Sequence, residues 1–216
     1  MDTGTIFTIG RQFGSAGRRV GSEIAKKLDI PFYDKELISL VAKDSGLNEA
    51  LIENVDEKAA SSFFQTLMAG SNPFGAFPMA TSNLGLPDLP INDRIFLIQC
   101  DAIREIAKKG SCVIVGRCAD YVLREEKNRL LSVFIHAPLE VRCERATNIY
   151  KIPDKKAQSE CQKNDRTRAH YYNYFSDRKW GSASNYDLCI DSSILGVSKT
   201  ADCIIRFDRL RRGISV

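Results

Sequence analysis

Two almost purely apolar runs, Cys112-Val-Ile-Val115 and Leu130-Leu-Ser-Val-Phe-Ile135, constrain this chain more than any other feature. A strand with one wet face alternates apolar and polar side chains. A run without alternation suits a strand covered on both sides, as in a parallel sheet lying between helices. Three further extended pieces are predicted, at Thr5 to Gly10, Ile30 to Tyr33 and Tyr186 to Ile190. Helical patterns alternate with them. Val20, Ile24 and Leu28 mark a helix from Arg18 to Leu28; others are predicted at Asn92–Lys109, stopped by Gly110, from Pro138 to Asn148, from Asp154 to Phe175, and from Lys199 to Leu210. Five short strands alternating with helices predict an α/β fold with a doubly wound five-stranded parallel sheet. The 216 residues fit one such domain with an insertion, and 44% hydrophobic against 27% charged residues supplies a core and sets aside a mainly disordered chain.

The stretch between the second and third strands has a different character. A helix is expected to open at Asp34 with Leu37, Ile38 and Val41 on one face, and another after Asn48 with Leu51, Ile52 and Val55. From Gly70 to Pro90 four of the seven prolines occur with hardly any charge. An irregular excursion is expected there, and Phe74, Phe77, Met79, Leu84 and Leu86 should keep it against the body or over a site.

Several function classes are set aside. The seven cysteines include no C-x-x-C pair and read as reduced thiols of a cytoplasmic protein, with Cys112 and Cys189 expected buried inside apolar runs. His136 and His170, the only histidines, have no partner at a zinc-ligand spacing. No stretch is long and apolar enough for a membrane helix. A formal net charge of +4 is too weak to favour nucleic acid, so neither nucleic acid nor membrane is expected as a partner. Nothing in the sequence speaks to the oligomeric state.

Ligands of doubly wound sheets bind beyond the carboxyl ends of the strands. That rule selects Gly10 to Arg19, Asp34, Gly116 to Asp120, His136 and Asp191. The first of these is the most informative: Gly10-Arg-Gln-Phe-Gly-Ser-Ala-Gly-Arg-Arg-Val-Gly21 joins a strand to a helix. Successive backbone N–H groups of Gly14, Ser15, Ala16, Gly17, Arg18 and Arg19, leading into a helix N-terminus, can cradle phosphate oxygens, and Arg11, Arg18 and Arg19 add positive charge. The pattern G-x-x-x-x-G-K-[ST] is met only in part. Gly17 matches its second glycine, whereas Gln12 stands at the first, Arg18 replaces the lysine and Arg19 the magnesium-binding hydroxyl residue. A plain glycine turn would also account for the loop taken alone; its place after the first strand favours phosphate. Magnesium ligands stay unassigned, with Ser15, a carboxylate or water as the alternatives.

With these pieces go Phe32-Tyr-Asp-Lys-Glu-Leu-Ile38, Val113-Ile-Val-Gly-Arg-Cys-Ala-Asp-Tyr121, Val133-Phe-Ile-His-Ala-Pro-Leu-Glu-Val-Arg142 and Asp165-Arg-Thr-Arg-Ala-His-Tyr-Tyr172, together with Trp180-Gly181 and Tyr186-Asp-Leu188. In combination they resemble the cytidylate-kinase-like family of nucleoside-monophosphate kinases, in a divergent branch whose P-loop lacks its lysine. The resemblance spans nearly the whole chain. It implies a P-loop nucleotide-kinase sheet in a core of about residues 1–34, 92–150 and 186–216, a helical acceptor-binding insert at about 35–91 and a lid at about 151–185.

The implied reaction is transfer of the γ-phosphoryl group of ATP, with Mg2+, to CMP or dCMP. By this resemblance Gly14 to Arg19 hold the donor, Asp34, Arg117 and Asp165 meet the acceptor, and Arg18, Arg166 and Arg168 act on the transferring group. Each has a plainer alternative: Asp34 as a helix cap, Arg117 in a surface ion pair, Arg166 and Arg168 on a charged helix face, and the Tyr171, Tyr172, Tyr174 and Trp180 cluster as packing rather than base stacking. Cys118 departs from the family, whose cytidylate kinases carry an acid there. A kinase for another small-molecule acceptor, or a nucleotide-binding protein without turnover, are the rival readings.

Overall fold

The computed structural model describes residues 4–35, 38 and 90–214. Most of the helix expected after Asp34, the one after Asn48 and the proline-rich stretch up to residue 89 lie outside the described residues. Two compact units divide the chain, Met1–Leu37 with Ile103–Val216, and Ile38–Ala102. The five-stranded sheet belongs to the first.

In chain order the described elements are β1 (Ile6–Arg11), α1 (Gly17–Leu28), β2 (Phe32–Tyr33), α2 (Ile91–Lys108), β3 (Cys112–Val115), α3 (Ala119–Val122), β4 (Leu130–His136), α4 (Leu139–Tyr150), α5 (Asp154–Ser176), β5 (Leu188–Asp191) and α6 (Ser192–Arg211), with a single 3-10 turn at Ala183–Asn185. The sheet has five strands in the order β2-β3-β1-β4-β5, and every pair is parallel. Ile6 pairs with Cys112 on one side and Leu130 on the other, which makes β1 the central strand.

The apolar runs are buried as their lack of alternation requires. Phe7, Ile9, Val113, Val115, Leu131, Val133 and Ile135 form one core with Val20 and Ile24 of α1 and Ala201 and Ile204 of α6. Truncating a fully buried leucine such as Leu131 to alanine would cost about 2–5 kcal/mol. The end of α1 is also set locally: the helix stops at Asp29 in a left-handed conformation, with Lys26 and Lys27 on its last turn, where positive charge offsets the negative end of the helix dipole.

Connections from β1 leave toward β2 and those from β3 leave toward β4, so the chain reverses direction around β1. The crevice that such a reversal opens lies beyond the carboxyl ends of β1 and β3, at Gln12 and Gly116. Two expectations need correction, and one element is new. Cys112 is buried and its thiol is pushed up to about 11 by burial, but Cys189 is exposed, because β5 is an edge strand with a half-covered face. The last helix begins at Ser192 rather than Lys199 and is broken at Gly196, whose φ of 69° interrupts the helical ladder. The four-residue α3 was not anticipated, being too short to leave a periodic pattern.

Candidate functional site

The loop from Gln12 to Gly17 is shaped by two close approaches. Gly14 has φ +75°, and a Cβ there would come within 2.6 Å of the Arg142 carbonyl oxygen; a Cβ on Gly17 would come within 2.5 Å of the Arg11 Cβ. Ala16 completes the turn in the left-handed region, at φ 62°, as the residue that enters α1. Ser15 is fully buried. Its hydroxyl donates to the Gln12 carbonyl at 2.9 Å, and its own carbonyl accepts from the Ser192 hydroxyl at 2.6 Å. The side chain expected among the donor or metal contacts is therefore turned into the protein, where it fixes the loop's shape.

A partly buried ion pair braces the loop from outside. Asp165 on α5 accepts from the Phe13 backbone N–H at 2.7 Å and from Arg142 Nη1 at 2.6 Å, while Arg142 Nε donates to the Ala137 carbonyl. Asp165, expected at the acceptor, is thus tied to the loop and to α4. Arg145 adds contacts to the Gly14 carbonyl and to Ser192. The Arg142–Asp165 brace is a part of the site that sequence reasoning missed.

Arg18 and Asp34 are brought together. Nε and Nη2 of Arg18 donate to Asp34 Oδ2 at 2.8 and 2.5 Å, and the guanidinium lies 5.8 Å from the Phe32 ring centroid. The Arg18 side chain is 64% exposed and that of Asp34 only 6%. Arg18, the residue expected to follow the transferring phosphoryl group, is engaged in the structure with a carboxylate. Arg19 stands exposed beside it on the first turn of α1.

Arg117 follows β3 in a turn where Gly116, Arg117 and Cys118 all have positive φ, at 82°, 54° and 54°. Such a run is costly for non-glycine residues and is kept where surrounding structure holds it. It lays Arg117 over the Tyr171 ring, 5.5 Å from the centroid, with Nε buried and without a hydrogen-bond partner. Cys118 is 3% exposed, so its thiol is closed off from the crevice.

The two lid arginines part company. Successive residues of a helix turn by about 100°, so Arg166 and Arg168 stand about 200° apart on α5. Arg168 faces inward, with Nη1 donating to the Arg11 carbonyl at 3.0 Å and its guanidinium 5.7 Å from the Phe13 ring centroid. Arg166 is exposed. The inward face of α5 also carries Asp165 and Tyr172, at the i, i+3, i+7 spacing that separates them from Arg166.

Arg11, noted in the sequence only as added charge, ends β1 beneath these groups. Burial, then Arg168 and Arg117, push its guanidinium down to about 9. Burial also pulls Arg168 below its ordinary value.

The aromatic residues mostly serve packing. The Tyr172 hydroxyl donates to Asp120 at 2.7 Å, Phe134 meets the Trp180 ring edge-on at 5.2 Å, and Tyr186 lies 5.0 Å from Phe134. Asp191 accepts from the Ser193 backbone N–H and caps α6. Beside Gln12 a cavity of about 470 Å3 is lined by His136, Pro138, Gly181, Cys189 and Asp191 among others, within the size range of ligand pockets. Among the described residues no group of three or more His, Cys, Asp or Glu side chains could hold a metal ion, and no helix is long and apolar enough to cross a membrane.

Comparison with known proteins agrees with this geometry. The model of the cytidylate kinase-like family matches residues 6–194. An uncharacterized protein from Eubacterium ventriosum is 27% identical, with a TM-score of 0.67 over 94% of this chain and 97% of the other. A gluconokinase from Sinorhizobium meliloti is 14% identical with a TM-score of 0.52, covering 98% and 97% of the two chains. A shikimate kinase from Bacteroides thetaiotaomicron is 11% identical with a TM-score of 0.52, covering 97% and 99%; these two likenesses are of fold. No curated protein matches the chain. The chain belongs to the cytidylate kinase-like family, and its five-stranded parallel sheet is that of the P-loop kinases.

Proposed function

We propose that this member of the cytidylate kinase-like family transfers the γ-phosphoryl group of ATP to a pyrimidine nucleoside monophosphate, CMP or dCMP, in the cytoplasm. The observation that carries the reading is the juxtaposition of a glycine loop held in phosphate-cradling shape with Arg117 and Arg168 at the carboxyl ends of β1 and β3. The bond from the γ-phosphorus to the β–γ bridging oxygen breaks, a bond to an oxygen of the acceptor's phosphate forms, and ADP leaves. No covalent intermediate on the protein is needed, because positioning and charge suffice for this chemistry.

The glycine loop suits a phosphate chain: Gly14 and Gly17 are packed so closely by Arg142 and Arg11 that only glycine fits, which holds the tight turn leading into the N-terminus of α1. Bound magnesium would neutralise phosphate charge, and with no carboxylate cluster among the described residues it would be held mainly by nucleotide phosphates and water. Arg117, with an unpartnered Nε, suits the acceptor phosphate, and Arg168 suits the developing charge on the transferred group.

The test is to mix the protein with MgATP and CMP, dCMP, UMP, AMP or GMP and to separate the products by chromatography. ADP together with CDP or dCDP, and little with the purine nucleotides, is the expected result. A second reading, a kinase for another anionic small molecule, is favoured by one observation. Cys118 stands where the cytidylate kinases carry an acid, and it is closed off from the crevice. Transfer to a non-nucleotide acceptor with none to CMP or dCMP would select it.

A further inference from the structure

The cation at the lysine position of the loop is not the one best placed to meet an anion. Arg18 gives two donors to Asp34 and is largely exposed. Arg11 is recessed at the end of β1, its stem against Gly17 and its Nη1 against Gly116. No described residue accepts a hydrogen bond from its guanidinium. Two other arginines come close: Arg168, whose Nη1 donates to the Arg11 carbonyl, and Arg117, which follows the Gly116 that Arg11 Nη1 lies against and whose Nε is buried and unpartnered.

The acids nearby are already shared. Asp34 partly offsets the charge of Arg11, but it is paired with Arg18. Asp165 offsets Arg168 while paired with Arg142. Burial and mutual repulsion leave Arg11 the most strongly lowered arginine among the described residues. Like charges held together in a recess destabilise a protein unless an anion joins them. A phosphate dianion, with several acceptor oxygens, can take hydrogen bonds from all three guanidiniums.

We infer that Arg11 is the fixed cation of an anion site at the carboxyl end of β1, completed by Arg117 and Arg168, which takes a phosphate dianion and supplies beside the glycine loop the charge that Arg18 gives to Asp34. The inference deepens the phosphotransferase reading and rests on it only for the identity of the natural anion. Its gain in binding is offset by lower stability of the empty protein, as is usual where function and stability compete.

The experiment is thermal unfolding of the full chain against increasing inorganic phosphate, with chloride at equal ionic strength as reference. The variants are Arg11→Gln, Arg11→Lys and, as a charge control on the exposed last turn of α6, Arg209→Gln. Phosphate should raise the melting temperature of the parent protein and of Arg209→Gln. Arg11→Gln should melt higher than the parent without phosphate and bind phosphate roughly tenfold or more weakly. A purely structural arginine would do the reverse, melting lower when replaced and leaving the phosphate response intact; that result overturns the inference.

Should Arg11→Gln not fold, Arg11→Lys decides. It keeps the charge but loses the planar fork, so weaker phosphate binding supports the site and undiminished binding overturns it. Phosphate binding through Arg11 without transfer to any nucleotide would sink the proposed reaction alone. Transfer to CMP at the parent rate by Arg11→Gln would sink the anion site alone.

Discussion

Arg18 donates from both Nε and Nη2 to a single oxygen of Asp34, joining the first turn of α1 to the residue after β2. The two halves of the pair sit in different surroundings, the arginine 64% exposed and the aspartate 6%. An exposed guanidinium that loses its partner is taken up by water at little cost, whereas a buried carboxylate that loses its donors costs more. Arg18→Met should therefore cost about 1–3 kcal/mol and Asp34→Ala, through this contact, under about 1 kcal/mol. Denaturant unfolding of the two variants checks this, and equal costs would show that the pair is no more than a surface contact.

The Asp165 carboxylate serves two donors at once, the Phe13 N–H and Arg142. Asp165→Asn keeps an oxygen for the N–H but loses the charge; Asp165→Ala loses both. The expected costs are about 2–3 and about 3–5 kcal/mol, because Arg142 is left buried without its counter-ion. The difference between the variants, read by denaturant unfolding, measures the loop contact. No difference would mean that Phe13 is held in place by other means.

The sheet was legible because its strands are buried on both faces, and Cys112 to Val115 and Leu130 to Ile135 announce that in their composition. Cys189 misled because an apolar run on an edge strand looks like one at the centre until the strand order is known. The loop's glycines were legible as a tight turn, but their actual neighbours, Arg142 and Arg11, lie 128 positions later and at the end of the preceding strand. Pairings of that kind are set by tertiary packing. Asp165, Arg168 and Tyr172 carried a usable signal in their helical spacing; weighing Arg166 with Arg168 by motif, without that spacing, put both toward the phosphates.

Gly14→Ala brings two penalties together. Its φ of +75° strains an L-residue, and the new Cβ would lie 2.6 Å from the Arg142 carbonyl oxygen. Gly213 has a similar φ, +68°, with nothing within 4 Å, so Gly213→Ala isolates the backbone strain. We expect about 1 kcal/mol for Gly213→Ala and about 2–4 kcal/mol for Gly14→Ala. Thermal unfolding compares them, and equal losses would show that the loop moves off α4 without cost.

Asp120 is an acid whose burial raises its carboxyl above the ordinary 3.8, against the pull of the Tyr172 hydroxyl. Between the unfolded and the raised folded value the native state binds more protons than the unfolded one, so stability falls as pH rises through that window. Below the unfolded value both states are protonated and the effect is absent. Asp120→Asn should remove this downward slope on the acid side while keeping an acceptor for Tyr172. A pH series of unfolding midpoints tests it; an unchanged slope would assign the dependence to other carboxylates.

Arg166 and Arg168 differ by two residues and by about 200° of helix rotation, and only Arg168 reaches the strand ends. If the charge on the transferring group is met from α5, it is met by Arg168. Arg168→Gln should then lower kcat by about 100-fold or more with a smaller change in KM, since the contact strengthens as negative charge develops. Arg166→Gln should stay within about threefold of the parent in both constants, as an exposed side chain off the inward face. Steady-state kinetics with whichever acceptor proves active decides between them. Equal losses would require α5 to rotate or unwind during turnover, because an intact helix cannot present both side chains to one phosphate.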